Sequence, residues 1–502
     1  MKGAFIDAAA VGVPVADFDF VVIGSGAGGS AAARVLAASG ASVCVLEEGP
    51  RVDPKTLGTN AGASMARLFR AQGKQVAFGR ATTPILQGRA VGGTTFVNSA
   101  IVWRLPAYIL KRWHEEFGLD NYAERDLDEW AARFEEEMSV RPVVEGVTAG
   151  RQDLLMRAAA QSAGIEARFI RRYDRDCRGS GRCLHGCPNA AKQSTAVSTL
   201  VRAVSDGAVV VSQTRVDRVE MRSGRVQAVI GHVGGDGPET SQKFRLTARR
   251  GVIVAGGVIQ SSNLLWRSGL RTRSLGRHFM AHPGTAIMGL YPTRVDSWTG
   301  ASQGYEAYGL RDTLGVKFET INVPPEVTAA RLPGAGARFA ERLAQLPYVA
   351  NWALALRAEA EGDIRPSLLF GDKVRYDLTD RDLDRVRQGA KKLAEMHFSA
   401  GAREVVTGIA GLPETITSPS QLDVFDRAPL DPRHYSMVMT HLFGGCRAGR
   451  DPGASVVDPT LKVHGTDRLY VMDASVFPTN TGVNPQHSIM SLAAVAASRL
   501  VS

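Results

Sequence analysis

Cysteine is scarce in this chain, with five in 502 residues. The odd number and irregular spacing exclude a disulfide-stapled secreted scaffold, and a reducing, cytoplasmic compartment is the expectation. No apolar run approaches the roughly 18 residues that a membrane-spanning helix needs, so no span is expected. The opening MKGAFIDAAAVGVPVADFD carries one Lys, an early Asp7 and no long apolar stretch, and reads as a loose leader rather than a signal peptide. Charge of one sign is not segregated either. The 60 Lys and Arg are spread among 50 Asp and Glu, with no Lys-rich tail and no interleaved aromatics. The net charge of +10 therefore reads as a basic globular protein and not as a nucleic-acid binder.

Glycine is plentiful instead. Its 53 residues suit tight turns and close backbone approach to a ligand. The 44 % apolar and 22 % charged fractions are those of a globular chain, and the length exceeds one simple core.

The strongest single signal is FDFVVIGSGAGGSAAARVLAASGASVCVLEEGP. Phe18 to Ile23 is a short β-branched run of the kind buried in parallel sheets. It feeds a G-x-G-x-x-G loop through Gly24, Gly26 and Gly29, then an Ala-rich helix from Ser30 to Ser39, then a second strand, SVCVL, ending at Glu47. Gly24 permits the tight turn, Gly26 lets backbone approach a pyrophosphate, and Gly29 lets helix and strand pack closely. The helix start offers free N–H groups to phosphate. Glu47, 18 residues after Gly29, is placed to accept from a ribose diol. This is a dinucleotide-binding unit.

Three later stretches indicate which dinucleotide: QGRAVGGTTFVNSAIVWRLP (87–106), RGVIVAGGVIQSSNLLWRSGL (250–270) and the final sixty residues from THLFGG onward. Together with the first unit they resemble, in the right order, the glucose–methanol–choline (GMC) oxidoreductases, which bind FAD. The resemblance implies an α/β fold, with a Rossmann-type FAD-binding domain and an interleaved α+β substrate domain built on an antiparallel sheet. The discontinuous FAD domain would comprise 17–110, 190–285 and 440–502. The substrate or cap domain would comprise 111–189 and 286–439.

The resemblance also implies roles. Gly24, Gly26, Gly29 and Glu47 would hold the ADP half of FAD, and Val216 would meet the adenine through its backbone. Arg89, Gly92, Gly93 and Asn98 would lie on the loop over the pyrophosphate and the flavin's reactive edge. Gly256 would back the adenosine, Asp473 would sit near the ribityl chain and phosphates, and Asn484-Pro485 beside the pyrimidine end of the ring.

Oxidising an alcohol removes a proton from oxygen and a hydride from carbon. If flavin N5 takes the hydride, the protein must supply a group for the hydroxyl proton, and imidazole suits that task. A second polar group must hold the oxygen in place. His441 in HLFGG and Asn484 in GVNPQ, 43 residues on, are the expected pair. A His–Asn pair resembles the cholesterol-oxidase and long-chain-alcohol branch, which implies a sizeable, partly apolar alcohol such as a sterol, long-chain or aromatic alcohol. The electron acceptor, whether oxygen, a quinone or a redox protein, is left open. The two further readings are a sugar dehydrogenase with a 3Fe-4S relay to a cytochrome partner and a lyase or decarboxylase on the same fold. His114, His232, His397 and His464 read as surface or satisfied core residues; His282 and His487 stay open. In the substrate region, Thr379 with Asp382 has capping-box spacing, and Leu383, Val386, Ala390 and Leu393 follow at helical spacing up to Gly401.

Cys177, Cys183 and Cys187 cluster as C-x5-C-x3-C before Pro188. A zinc site would need His185 as fourth ligand, awkwardly placed between two of the thiols. Three thiolates could hold a three-iron cluster, as the resemblance to FAD-dependent glucose dehydrogenases implies. A similar loop in long-chain-alcohol and sterol-type relatives is a structural turn. A disulfide between two of the three is the remaining option.

Overall fold

The computed structural model describes residues 3–14, 16–234, 242–367 and 371–502. Phe18–Ile23 lies inside a six-stranded sheet in the order Ala4–Asp7, Val209–Ser212, Val43–Leu46, Phe18–Ile23, Ala248–Val254, Leu469–Val471, and every neighbouring pair is parallel. Parallel strands are covered on both faces, which is why these segments are near-continuous Val and Ile. Val21, Val22, Val43, Val45, Val210, Ile253 and Val254 are all fully buried. Each such side chain contributes about 1.5–3 kcal/mol of transfer free energy.

The helix Ala27–Ala38 packs against this sheet and against the C-terminal helix Gln486–Ser498. Both helices present alanines (Ala31, Ala32 and Ala33; Ala493, Ala494 and Ala497) that are buried, so the helices approach closely. The chain's last helix is thereby brought to the glycine loop at 24–29.

Ala4–Asp7 is no loose leader. It adds the edge strand to the parallel sheet, with Ala4 opposite Val209, and Asp7 then caps a short helical turn through the Ala9 N–H at 3.1 Å. The apolar Phe5 and Ile6 pack on the core, and the edge hydrogen bonds hold this segment in place.

A second sheet of eight strands is antiparallel throughout. Met280–Leu290 is its hub, pairing with Val349–Leu356, Glu404–Val406 and Val438–Phe443. From Val349–Leu356 the sheet continues through Val316–Thr320 and Tyr305–Ala307 to Ala167–Phe169. The apolar stretch around Trp352 is thus a central strand, with Trp352, Leu354 and Leu356 in the core. The helix Asp380–Ser399 covers this sheet. It begins with the expected capping box of Thr379 and Asp382, and Gly401 follows its end at φ +90°. Among the described residues no helix is long and apolar enough to cross a membrane.

Candidate active site and cofactor cradle

The glycine loop turns between the Phe18–Ile23 strand and the Ala27–Ala38 helix. Gly24 has φ +101°, and a Cβ there would meet the Ala255 carbonyl oxygen at 2.3 Å. Gly26 is the opposite case, since a Cβ there would meet nothing within 4 Å. The loop is open at the place where a phosphate must approach. Gly26 is also the N-cap of the helix and offers no side-chain cap, so the first N–H groups are left for a ligand. Gly93 packs over it, its Cβ position 3.0 Å from the Gly26 Cα.

Glu47, at the end of the Val43–Leu46 strand, is 6 % exposed. Its carboxylate accepts from Ser25 N–H at 3.0 Å, Ser25 Oγ at 2.6 Å and Gly49 N–H at 2.9 Å. Burial raises its pKa against the pull of these donors. Ser25 Oγ in turn accepts from Gly92 N–H at 2.8 Å, which ties the 87–98 loop to the glycine loop. Beside it, Glu48 pairs with Arg70 at 2.6 Å and Arg89 at 3.6 Å. Burial opposes its ionisation, but Arg70 and then Arg89 and Arg215 outweigh it and pull its carboxyl down to about 2. Val216 is buried two residues beyond Thr214, whose N–H reaches the Glu47 carbonyl at 2.8 Å.

On the other side of the loop, Asp473 accepts from Gly257 N–H at 2.8 Å, Ser261 Oγ at 2.5 Å and Ser475 N–H at 2.8 Å. It locks the Gly256–Gly257 turn against the end of the Leu469–Val471 strand. Ser475 Oγ is buried there without a hydrogen-bond partner. Asn98 donates to Gln486 Oε1 at 2.8 Å, and the Tyr173 hydroxyl bridges the same two side chains. The Lys192 ammonium fastens the loop from beneath by donating to the carbonyls of Phe96, Asn98 and Cys183. An uncapped helix start, an open glycine, a buried ribose-type carboxylate and an unpartnered serine hydroxyl fit the demands of a dinucleotide diphosphate.

His441 and Asn484 meet. His441 stands on the Val438–Phe443 strand and Asn484 immediately before Pro485, the N-cap of the last helix, with His441 Nε2 and Asn484 Nδ2 3.4 Å apart. Burial, reinforced by the Lys317 charge, pushes the His441 imidazole down to about 3, so it is neutral at physiological pH. Three neighbours of this pair escape sequence reading.

Lys317, 3 % exposed, donates to Asn484 Oδ1 at 2.5 Å and to Glu306 at 3.0 Å, and forms an ion pair with Glu319 at 2.6 Å. Lys317 and Glu319 share a face of the Val316–Thr320 strand by the period of two, and Glu306 lies opposite Glu319 on the next strand. Burial works against the ammonium, but Glu306 and Glu319 outweigh it and hold its pKa above the ordinary lysine value. Glu306 is also held by Trp103 Nε1 at 2.9 Å and Arg168 at 2.8 Å. The signal that could have found this cluster is the charged alternation of VKFET inside an otherwise apolar strand. His282 was left open by the sequence. It is the cross-strand partner of His441, with the two Nδ1 atoms 3.3 Å apart.

The remaining histidines divide. His397 is wholly buried, stacked on Trp352 at 3.8 Å and hydrogen-bonded to Tyr291. His232 pairs with Asp217, His114 with the Tyr122 carbonyl and His464 with Ser455. His487 is buried against Tyr173, and neither ring nitrogen has a partner.

Cys177, Cys183 and Cys187 line one cavity of about 10 Å³ with Arg172, Asp174 and Lys192. That volume holds about one water. Among the described residues no group of three or more His, Cys, Asp or Glu side chains could hold a metal ion. The three-iron expectation therefore does not fit this loop, and all three cysteines are free thiols. Arg172, fully buried, donates to Cys183 Sγ at 3.1 Å. Burial opposes the thiolate, but Arg172 and Lys192 outweigh it and lower the Cys183 pKa.

Two models of the GMC oxidoreductase family match residues 18–284 and 366–493. An uncharacterized GMC-type oxidoreductase of Mycobacterium tuberculosis is 35% identical over 486 residues, covering 96% of this chain and 76% of that one. A long-chain-alcohol oxidase of Arabidopsis thaliana is 27% identical over 523 residues, covering 96% of this chain and 66% of its own. Among solved structures, a formate oxidase superposes with TM-score 0.74 at 15% identity, covering 97% of this chain and 98% of that one. Pyridoxine 4-oxidase from Mesorbium loti gives 0.72 at 19% identity, covering 96% and 99%. The matched ranges include the glycine loop, His441 and Asn484, and the chain belongs to the GMC oxidoreductases, with FAD as its cofactor.

Proposed function

We propose that this chain oxidises the CH–OH group of an alcohol, with His441 as the base and Asn484 as the donor that positions the oxygen. The observation that carries the reading is the 3.4 Å approach of His441 Nε2 to Asn484 Nδ2, made by two elements remote in sequence. A hydroxyl entering between them takes a hydrogen bond from the Asn484 amide and gives its proton to the imidazole nitrogen. FAD, when bound, supplies the acceptor for the hydride. The burial that keeps His441 neutral keeps its lone pair available, and Lys317 holds the amide in the donating orientation.

In the same reading, Gly24, Gly26, Gly29 and Glu47 hold the ADP half of the cofactor, with Val216 and Gly256 against the adenosine. Arg89, Gly92, Gly93 and Asn98 cover the diphosphate and ring edge, and Asp473 and Pro485 lie along the ribityl chain and pyrimidine. The similarity to a long-chain-alcohol oxidase supports a sizeable, partly apolar substrate. The test is anaerobic bleaching of the flavin band by a panel of 1-dodecanol, benzyl alcohol, cholesterol and glucose. Bleaching by one of the first three, lost in His441→Ala with FAD still bound, is the expected result. Bleaching by glucose alone would sink the substrate class, and bleaching by none would sink the reaction.

A further inference from the structure

We infer that His282 is a positioning residue for His441: it accepts the proton on His441 Nδ1 and so leaves Nε2 as the bare nitrogen that faces Asn484. This rests on the reading of His441 as the base, and deepens it.

Lys317 enters this row with a fixed role. A lysine ammonium only donates. Its 2.5 Å bond therefore makes Asn484 Oδ1 the acceptor and turns Asn484 Nδ2 toward His441. An amide NH2 only donates, so His441 Nε2 must accept and the ring proton sits on Nδ1. That proton points at His282 Nδ1, 3.3 Å away, which must then accept, placing the His282 proton on Nε2. The Asn480 side chain hydrogen-bonds this imidazole. Asn480 Nδ2 is spent on the Ala358 carbonyl at 2.7 Å, so its Oδ1 is what remains for His282 Nε2–H. From Lys317 through Asn484, His441 and His282 to Asn480 the side chains then run donor to acceptor, with Gly482 N–H at His282 Nε2 the one donor left facing a proton.

One contact favours the reverse order. Gly482 N–H lies 3.1 Å from His282 Nε2 and, as a donor there, would move the His282 proton to Nδ1 and the His441 proton to Nε2. That arrangement sets His441 Nε2–H against the Asn484 amide protons, donor to donor. The charge-assisted Lys317 bond holds the Asn484 amide in one orientation in either order. With that amide fixed, the reading of His441 as the base selects the order that leaves Nε2 bare, against the Gly482 contact.

The backbone is built for this contact. His282 and His441 are directly opposed on neighbouring antiparallel strands, and the register slips between His282 and Pro283. The rings meet edge to face at 89° with centroids 5.4 Å apart, and Phe443 backs the His282 ring at 4.8 Å. His282 is 4 % exposed. The charged groups felt by the pair are Lys317 and Arg357, with Glu306 and Glu319 behind Lys317. Among the described residues no carboxylate bonds either ring, so when His441 takes up the substrate proton its Nδ1–H has only His282 to lean on.

The test is nitrogen NMR of the 15N-histidine-labelled, FAD-loaded enzyme without substrate, with His441 assigned by its loss in His441→Gln. The expected spectrum shows Nδ1 of His441 protonated and Nε2 bare. His282→Phe fills the space without accepting, and is expected to move the proton to Nε2 and slow flavin bleaching by the active panel alcohol about 10²-fold, in kcat rather than KM. His282→Asn keeps an acceptor at the Nδ1 position, and is expected to retain the wild-type proton position and most of the rate. A His441 proton already on Nε2 in the wild type, or one unmoved in His282→Phe, overturns the inference. So does equal loss of rate in both variants with FAD still bound. Undiminished bleaching in His441→Ala overturns the base reading instead, and the spectrum distinguishes the two failures.

Discussion

Replacing Lys317 by Met separates the structural from the chemical role of the buried charge cluster. Lys317 and Arg168 balance Glu306 and Glu319, and three of the four are almost wholly buried while Arg168 is partly exposed. Removing the ammonium leaves one carboxylate without a counter-charge, and breaking a buried pair in this way costs about 3–5 kcal/mol. It also frees the Asn484 amide. A hydrogen bond to a charged group is worth about 1.5–3 kcal/mol, which is roughly a 10- to 150-fold loss of rate if it acts on the positioned oxygen.

The double variant K317M/E319Q removes one charge of each sign and leaves Arg168 with Glu306, so it restores neutrality without restoring the donor to Asn484. The prediction is that K317M lowers the thermal midpoint of the FAD-loaded protein, that K317M/E319Q recovers most of the loss, and that both bleach flavin at the same slow rate in anaerobic stopped flow. If the double variant regains the wild-type rate, Lys317 acts only as a counter-charge and the reasoning about Asn484 fails.

Three other outcomes follow from the geometry. Gly26→Ala has open space for its Cβ and is expected to leave apoprotein stability within about 0.5 kcal/mol of wild type while FAD is lost on dialysis; Gly24→Ala, with φ +101° and the Ala255 carbonyl in the way, is expected to destabilise the apoprotein itself, and indistinguishable melts would contradict this. Burial holds the imidazoles of His397, His441 and His487 down to about 3, 3 and 4, so the unfolded chain takes up their protons first and stability falls as pH drops from 6.5 toward 3. At pH 5 each costs about 2 kcal/mol relative to pH 7, against about 1 kcal/mol returned by Asp153, which burial raises to about 6. A thermal midpoint that stays flat between pH 7 and pH 5 in excess FAD would refute that sum. Arg172→Met leaves the Cys183 sulfur without its donor and Asp174 with Arg141 alone, and should cost about 1.5–3 kcal/mol; an unchanged midpoint in the same melts would refute it.

The cofactor half of the molecule was legible because its chemistry is written in local runs. A β-branched strand, a glycine turn and an alanine helix occupy 21 consecutive residues, and each constrains the next through backbone geometry alone. The helix at Asp380–Ser399 was legible for the same reason, since its cap and its apolar period lie within one stretch. Ala4–Asp7 was not, because what makes it a strand is an edge vacancy beside Val209–Ser212, some 200 residues away.

The candidate site shows the limit more sharply. His441 and Asn484 could be named from a resemblance, but what gives them a defined protonation state is cross-strand register. His282 meets His441 because two strands pair in one register and not another, and Lys317 meets Asn484 because a strand face and a helix start converge. Moving any of these strands by one residue would send its side chain to the other face of the sheet. Residue types alone carry no record of that choice. The direction of the proton row is therefore a property of the fold rather than of the motif: two chains with the same His and Asn could hold the base in opposite tautomers.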